Sequence, residues 1–306
     1  MPTASEVTER LRPHSRGSLF GARVREAGWG YAFVLLPMAV FGIFFIYPLG
    51  YAVYISFFDW GILGKVHSVG TQNYHTLLHD PIFHRAIKNT IQFTIFVVPL
   101  EMALGLLMAL VINGAIRGRA FFRAGFYFPS LVSSAAISAI AIYVLNVDGP
   151  FNQVFGLHQA WFGDPSTALW SITGLNAWTT SGTVMIFYLA ALQAISTDVY
   201  EASALDGAGA WRTFWKVTFP LLKPAHFFIL VVFGIGAHKI FDQAFIVSGG
   251  TGGPVYSTYT AVLYIYLEAF HSFNFGVAAA AGVVLFVGIF FLTLIQRATV
   301  GRQEIG

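Results

Sequence analysis

Three ionisable residues lie inside stretches that are otherwise apolar, and they are the first candidates for chemistry. Glu101 lies in one stretch, and Lys239 and Asp242 lie in another. An ionisable group at mid-bilayer costs about 2.5–3.5 kcal/mol on insertion scales, so it usually faces a protein interior or a cavity. The spacing of three predicts that Lys239 and Asp242 share one face of a helix. Either the two charges neutralise each other or that face lines a pathway. Glu101 could pair with Lys239 or lie at a helix contact, and these alternatives stay open.

The motifs of common catalytic and nucleotide-binding sites are absent from the sequence. The sole Gly-Lys pair, Gly64-Lys65, is followed by Val66, so there is no phosphate-binding loop of the GxxxxGK[ST] type. There are no cysteines, which excludes disulfides and thiolate sites. No His/Glu cluster has zinc-ligand spacing, and no G-x-S-x-G elbow appears. We therefore expect this chain to have no catalytic residue, no metal ligand and no bound cofactor.

The composition is that of a membrane protein. Of the 306 residues, 56% are hydrophobic and only 10% are charged, whereas soluble domains carry about 25% charged residues. A soluble fold of this length could not hide so much apolar surface, but a lipid solvent removes that problem. The net charge of +3 is too small to suggest nucleic-acid binding.

Six segments are long and apolar enough to cross a bilayer, which takes roughly 20 residues for about 30 Å of hydrocarbon. The first segment is too long for a signal peptide and lacks a cleavage site, so we expect it to be retained. The predicted spans are residues 31–57, 88–112, 124–146, 169–195, 225–247 and 275–296.

The basic residues predict the orientation of these spans, because Lys and Arg concentrate in cytoplasmic loops. With the N-terminus inside, 13 of the 17 Lys and Arg residues lie in inner segments, three lie in outer segments and Lys239 lies in a span. We therefore predict an all-α, polytopic membrane protein with six transmembrane helices and both termini cytoplasmic. The predicted organisation is an N-terminal tail (1–28), a transmembrane domain (29–298) and a C-terminal tail (299–306).

The longest inner loop, residues 197–224, is predicted to form a helix, a turn and a second helix. Asp198 is a candidate N-cap for the first helix, with Glu201 completing a capping box. Asp206-Gly207 predicts the turn, because glycine can take positive φ. A second helix is predicted to start near Ala208 and to end at Pro220.

Two interpretations of this second helix follow from its pattern. Trp211 and Trp215 share one face, while Arg212 and Lys216 lie on another. The helix could lie on the inner leaflet with its basic residues toward lipid phosphates. Equally, the helix–turn–helix could be a docking site for a cytoplasmic partner.

The loop EASALDGAGAWRTFWKVTFPLLKP resembles the EAA loop of ABC importer permeases, whose pattern runs roughly EAAxxDGAxxxxxFxxIxxP. Ser203 departs from that pattern, in which alanine is usual. In that family the loop docks into a cleft of the ATP-binding subunit and transmits its closure to the membrane helices, so the resemblance favours docking over lipid binding. The coupling residues that it implies are Glu201, Ala202, Asp206, Gly207, Ala208, Phe214 and Pro220.

Other stretches narrow the resemblance to sugar permeases of the maltose and glycerol-3-phosphate type. Phe241-Asp242-Gln243 and the glycine-rich segment 249–254 are similar to the FDQ…GGP segment of those permeases, and residues 264–280 and 47–60 also fit. The chain lacks the long extra outer domain that some maltose-type subunits carry. The resemblance nevertheless covers nearly the whole chain.

Permeases of this type place substrate contacts on the fourth span and the next. Asn176 and Trp178 fit sugar binding, because amides match hydroxyl groups and aromatic rings stack on the C–H faces of pyranoses. The alternative is ordinary helix packing by small polar residues, worth about 0.6 kcal/mol per hydrogen bond. The candidate pathway residues are Asn176, Trp178, Tyr188, Lys239, Asp242 and Gln243.

The resemblance implies a permease subunit of an ATP-driven sugar importer with the type I importer architecture, in a bacterial or archaeal cytoplasmic membrane. The implied partners are a second homologous permease subunit, two ATP-binding subunits that hold ATP and Mg, and an extracytoplasmic solute-binding protein. The chain would then contribute half of the translocation pathway and would not itself be an enzyme. Two alternatives remain: a permease for another solute, such as a glycerol phosphodiester or a polyamine, and an ion-coupled secondary transporter.

Overall fold

A computed structural model of the chain describes residues 16–114 and 117–299. Most of them are helical. The predicted tails fall largely outside this part of the chain, since residues 1–15 and 300–306 are not described. Contacts along the chain divide it into two units, residues 1–54 and residues 55–306, and each is described by itself.

The first unit contains a helix with one wide turn. Helix α1 (Arg16–Phe41) leads into a π-helical turn (Gly42–Ile46) and then into α2 (Tyr47–Ile55), whose last residue belongs to the second unit. The turn is closed by a bond from the Tyr47 N–H to the Gly42 carbonyl. Pro48 explains it, because proline has no N–H and its ring clashes with the carbonyl four residues earlier. A wider turn relieves that clash.

The described part of the second unit contains a β-hairpin and a series of helices. Strands β1 (Phe58–Gly61) and β2 (Gly64–Ser68) are antiparallel, with Phe58 opposite Ser68. The helices before the long inner loop are α3 (Gln72–His79), α4 (Pro81–Asn113), α5 (Arg119–Leu131), α6 (Ser134–Val144), α7 (Pro150–Phe155) and α8 (Ala168–Gln193). From that loop onward they are α9 (Thr197–Leu205), α10 (Ala210–Thr213), a second π-helical turn (Phe214–Thr218), α11 (Phe219–Leu221), α12 (Lys223–His238), α13 (Asp242–Val247), α14 (Ala261–Phe270) and α15 (Phe275–Thr299).

Four segments of the described chain are long and apolar enough to cross a membrane as single spans: Gly28–Ile55, Pro81–Asn113, Lys223–Val247 and Phe275–Thr299. Two bent helix pairs bring the number to as many as six. The predicted third span, 124–146, is not one straight helix, because α5 and α6 meet at 94°. Pro129 and the extended residue Val132 end α5 before the span is complete. Helix α8 covers nearly all of the predicted fourth span before the chain bends by 69° into α9.

The core of the second unit lies where α4 packs along α8. Gly105 permits this close approach, because a Cβ at that position would lie 2.5 Å from the Val184 side chain. Val184 and Met185 are fully buried against Ala109 and Ile112. A rigid α4–α8 pair therefore fixes the side chains that both helices present to their neighbours.

The end of α4 that holds Asn89 is tied to the glycine-rich segment and to α14. The Asn89 amide donates to the carbonyls of Tyr256 and Tyr259, at 2.8 and 3.0 Å. The Tyr264 hydroxyl donates to the Asp80 carboxylate at 2.6 Å. Asp80 also caps α4 by accepting from the Ile82 N–H. These bonds attach the segment that precedes α15 to a long apolar helix.

Candidate functional site

The first helix of the inner loop is capped two residues earlier than the sequence predicts. Ser196 is the N-cap of α9, and its hydroxyl accepts a bond from the Asp198 N–H at 3.3 Å. The prediction that Asp198 is the N-cap and that Glu201 completes a capping box is therefore wrong. Serine and aspartate are both good caps, so the pattern alone does not choose between them. The Glu201 side chain is exposed and remains accessible to a partner.

Gly207 forms the turn between the two helices of the loop. Its φ of +69° confirms the predicted left-handed conformation. The Gly207 N–H bonds to the Ala204 carbonyl and the Ala208 N–H bonds to the Ser203 carbonyl, at 3.0 and 3.1 Å. This pair of bonds is the Schellman arrangement that ends helices at a left-handed residue. The direction of the second helix thus depends on a conformation that glycine adopts without steric cost.

A hydrogen bond between side chains also joins the two helices. The hydroxyls of Ser203 and Thr213 are 2.9 Å apart, and Ser203 is buried. Ser203 is the residue that departs from the alanine of the EAA pattern. Its hydroxyl is used within the loop, so the departure adds a contact.

The second helix is short and then changes type. It begins at Ala210 with Gly209 as its N-cap, and it passes at Phe214 into the π-helical turn. The sequence predicts that Pro220 ends this helix. That prediction is wrong, because helical backbone continues through α11 to Leu221. The Phe219 N–H bonds to the Phe214 carbonyl, five residues back. As at Pro48, the wide turn accommodates a proline two residues beyond it.

Most of the predicted coupling residues lie close together around this turn. Ala202, Asp206 and Ala208 line a groove of about 280 Å³ together with the basic side chains of Arg212 and Lys216. Glu201 and Gly207 are exposed on the same part of the loop. Phe214 is partly buried against the α4–α8 core instead, and Pro220 lies further along the chain. The loop thus has an exposed tip, which includes Glu201 and Gly207, and a base at Phe214 that is packed against the core.

Aromatic side chains connect the exposed tip to the core. Trp211 is 76% exposed, and its ring lies 5.7 Å from that of Trp215. Trp215 contacts Phe219, whose ring lies 4.5 Å from that of His226 in α12. His226 Nδ1 is hydrogen-bonded to the hydroxyl of Tyr188 in α8, at 2.7 Å. A displacement of the loop would therefore be passed through these packed side chains to α8 and α12.

A second site is a polar cavity of about 380 Å³ bordered by α4, α6, α8, α12 and α13. In the lining of this cavity, Asn176 Nδ2 of α8 donates to Gln243 Oε1 of α13 at 3.0 Å. Gln243 is buried, so its amide is held in place. The ionisable and polar residues that line the cavity are Glu101, Ser134, Asn176, Thr180, Lys239, Asp242 and Gln243.

The helix through the fifth predicted span breaks at this cavity. Helix α12 ends at His238 and α13 begins at Asp242, so the prediction that Lys239 and Asp242 share one helical face is wrong. Within the described chain, no ion pair joins the two side chains. Each charge instead interacts favourably with a helix dipole, since Lys239 follows the C-terminus of α12 and Asp242 lies in the first turn of α13. A broken helix with exposed ends is a common way to build a site at membrane depth.

The structure brings four of the six predicted pathway residues to the cavity and leaves two outside its lining. Trp178 borders a different, apolar cavity of about 800 Å³ with Phe128, Ile137 and Trp170. It lies two residues from Asn176 and therefore on another face of α8. Tyr188 is 1% exposed and is engaged by His226.

Three of the polar and ionisable lining residues were not among the predicted pathway residues. Thr180 is four residues after Asn176, so helical spacing could have found it. Glu101 was visible as an ionisable residue in an apolar stretch, but its place in the lining of this cavity was not predicted. Ser134 carries no signal, because it reaches the cavity only through the bend between α5 and α6.

Comparisons with known proteins agree with this arrangement. The sequence model of the family described as "Binding-protein-dependent transport system inner membrane component" matches residues 101–304. The probable ABC transporter permease protein YesP of Bacillus subtilis is 33% identical over 279 residues, covering 88% of this chain and 89% of that protein. The multiple sugar-binding transport system permease protein MsmF of Streptococcus mutans is 32% identical over 279 residues, covering 90% of this chain and 96% of that protein.

A solved structure has the same fold. It is the crystal structure of a bacterial ABC transporter involved in the import of the acidic polysaccharide alginate, and one of its chains matches with a TM-score of 0.78 and 22% identity. The match covers 94% of this chain and 99% of that one. At this identity the similarity concerns the fold alone.

Proposed function

Because this chain belongs to the family of binding-protein-dependent transport system inner membrane components, we propose that it is one permease subunit of an ATP-driven sugar importer. Its relatives over nearly the full length are permease proteins of ABC transporters, and one is named as a multiple sugar-binding transport system permease. The protein is embedded in a membrane, and we place it in a bacterial or archaeal cytoplasmic membrane.

One observation carries the coupling part of the proposal: the helix–Gly207–helix loop between two apolar segments. Its tip is exposed, its turn is built on a left-handed glycine and its base packs against the core. A cytoplasmic ATP-binding subunit that grips the tip through Glu201 and the groove beside it can move the helices behind it. ATP and Mg then belong to the partner subunit, and the energy source lies outside this chain.

We propose that the chain crosses the membrane six times with both termini in the cytoplasm. The four single apolar helices and two bent pairs support this number, and the concentration of Lys and Arg in alternate loops supports the orientation. Residues 1–28 and 299–306 would then be cytoplasmic tails around a permease domain, 29–298. A second homologous permease would complete a heterodimeric pathway, and an extracytoplasmic binding protein would deliver the solute.

The polar cavity supports a sugar as the solute. Its lining combines amide, hydroxyl and carboxyl groups, which hydrogen-bond to sugar hydroxyls. Its volume lies near the lower end of the roughly 300–1,000 Å³ that small-molecule sites occupy. An ion-coupled secondary transporter would give the charged residues a role, but it would give none to the loop.

Co-purification of the ATP-binding subunit tests the proposal. Glu201→Ala should reduce both retention of the ATPase and sugar uptake by the reconstituted complex, because the exposed carboxylate would no longer contact the partner. Asp198→Ala is the matched control, since it lies one turn earlier in the same exposed helix and outside the EAA pattern. Wild-type retention and uptake in Glu201→Ala would contradict the docking role.

A further inference from the structure

We propose that Glu101 is a substrate contact, whose carboxyl group binds a pair of hydroxyls on the sugar in the polar cavity. The inference rests on the proposed transport function and extends it to a residue of the second apolar segment. Glu101 lies in α4, is 2% exposed and borders the cavity of about 380 Å³. It faces a cavity whose opposite walls are formed by α8, α12 and α13.

A purely structural role leaves the position of this carboxyl unexplained. No ion pair to Glu101 occurs in the described residues, although Lys239 lines the same cavity. The Thr180 side chain, four residues after Asn176 on α8, borders the cavity beside Glu101. A carboxyl group has two oxygens that can take part in hydrogen bonds. Because Glu101 borders the cavity and has no ion-pair partner in the described residues, its carboxyl group is available to a ligand there.

The neighbours of Glu101 indicate what kind of ligand this is. Thr180 borders the cavity together with Glu101, and Asn176 Nδ2 donates to Gln243 Oε1 at 3.0 Å. Adjacent ring hydroxyls of a sugar are spaced so that both can hydrogen-bond to the two oxygens of one carboxyl group. The remaining amide groups can bind further hydroxyls. The arrangement therefore suits a polyhydroxylated solute and gives no comparable match to an apolar one.

A single-cysteine experiment tests this contact directly, because the chain has no cysteines of its own. Ser134→Cys places a thiol in the cavity lining. The complete complex with its ATPase is reconstituted, and the rate of alkylation by a small maleimide is measured at graded concentrations of lactose, maltose and raffinose. At least one of these sugars should protect the thiol. Adding Glu101→Gln should raise the half-protecting concentration by about tenfold or more, because an amide offers one acceptor group instead of two.

Two further variants separate substrate binding from structure. Glu101→Asp keeps the carboxyl but withdraws it by one methylene, so its half-protecting concentration should lie between those of the wild type and Glu101→Gln. If Glu101→Gln does not assemble, an increase in Glu101→Asp over the wild type is the test, and no increase overturns the contact. Glu268→Gln removes a carboxyl that does not border the cavity and should leave protection unchanged.

The outcomes distinguish this inference from the proposed function. Equal protection with and without the Glu101→Gln substitution would overturn the contact. The contact would also be overturned if none of the three sugars protected the thiol in a complex that still takes up one of them. Coupled transport would then stand. A complex that neither retains an ATPase nor takes up sugar would instead contradict the proposed function itself.

Discussion

The hydroxyls of Ser203 and Thr213 lie 2.9 Å apart and join the two helices of the inner loop across the Gly207 turn. Ser203 is buried, and the Thr213 hydroxyl also lies 3.5 Å from the Ala208 carbonyl. The bond therefore closes a small ring of contacts around the turn. It holds the exposed tip in one orientation relative to the buried base.

Removal of this bond should weaken docking without preventing it. Ser203→Ala loses a hydrogen bond worth about 0.5–1.5 kcal/mol, so affinity for the ATP-binding subunit should fall by roughly two- to tenfold. Thr213→Ala should have a similar effect, and the double variant should be no worse than either one, because both remove the same bond. Titration of the reconstituted permease with the ATPase measures this. Fully additive effects would show that the two hydroxyls act independently.

The features that follow from local chemistry could be predicted from the sequence. The apolar segments are recognisable because a bilayer requires a minimum length of hydrophobic helix. The turn at Gly207 is recognisable because Asp-Gly is a strong local signal. In both cases a few neighbouring residues determine the structure, and no distant contact is needed.

The features that depend on contacts between distant segments could not be predicted. The break between Lys239 and Asp242 has no glycine or proline to mark it. The bond from Ser203 to Thr213 requires the full geometry of the turn, and Ser134 reaches the cavity through a bend elsewhere. Proline does mark the two π-helical turns, but the same residue type also predicts a helix end. A wider turn satisfies the same steric requirement while the helix continues.

Tyr188→Phe should destabilise the junction between α8 and α12. The substitution leaves His226 Nδ1 without the Tyr188 hydroxyl, and a buried unpaired polar group costs about 1–3 kcal/mol. Thermal unfolding in detergent should show a lower Tm, while the aromatic packing of the ring is kept. Tyr143→Phe, which removes the same hydroxyl from a tyrosine that is 70% exposed, is the control. An unchanged Tm in Tyr188→Phe would show that the bond contributes nothing to stability.

Glu268 should make stability depend on pH. Its burial and the nearby Asp80 raise the pKa of the Glu268 carboxyl above its ordinary value of 4.5. The protonated form is thus favoured in the folded protein, so this stabilisation is present below the ordinary value and is lost as the pH rises through the raised one. Glu268→Gln should therefore raise Tm relative to the wild type at neutral pH and have little effect in acid.

Asp164 provides a control of opposite sign for this measurement. Hydrogen bonds from the Ser166 hydroxyl and N–H lower the pKa of the Asp164 carboxyl. Asp164→Asn should therefore lower Tm slightly at neutral pH and converge with the wild type in acid. A shift of Tm by Glu268→Gln that is the same at every pH would exclude titration of this carboxyl as the cause.

Two exposed leucines test the proposed orientation in the membrane. Leu63 at the tip of the β-hairpin is 96% exposed, and Leu205 in the inner loop is 90% exposed. In the cysteine-free chain, Leu63→Cys should react with an impermeant thiol reagent added to intact cells. Leu205→Cys should react only after the cells are permeabilised. The reverse pattern would show that the orientation is inverted.

Gly207→Val should uncouple the loop from its partner. Gly207 has a φ of +69°, and a β-branched residue is strongly disfavoured there, at a cost of about 1 kcal/mol or more.

Gly209 is the matched control, because it lies two residues away with a φ of −71° and has open space where a Cβ would lie. Gly209→Val should therefore keep the loop geometry. Both variants should insert into the membrane, since the substitutions lie outside the apolar segments, but only Gly207→Val should lose ATPase retention and sugar uptake. A helix that merely rests on lipid would still bind through Trp211 and Trp215, and both variants would then transport normally. Wild-type retention and uptake in Gly207→Val would therefore refute coupling through this turn.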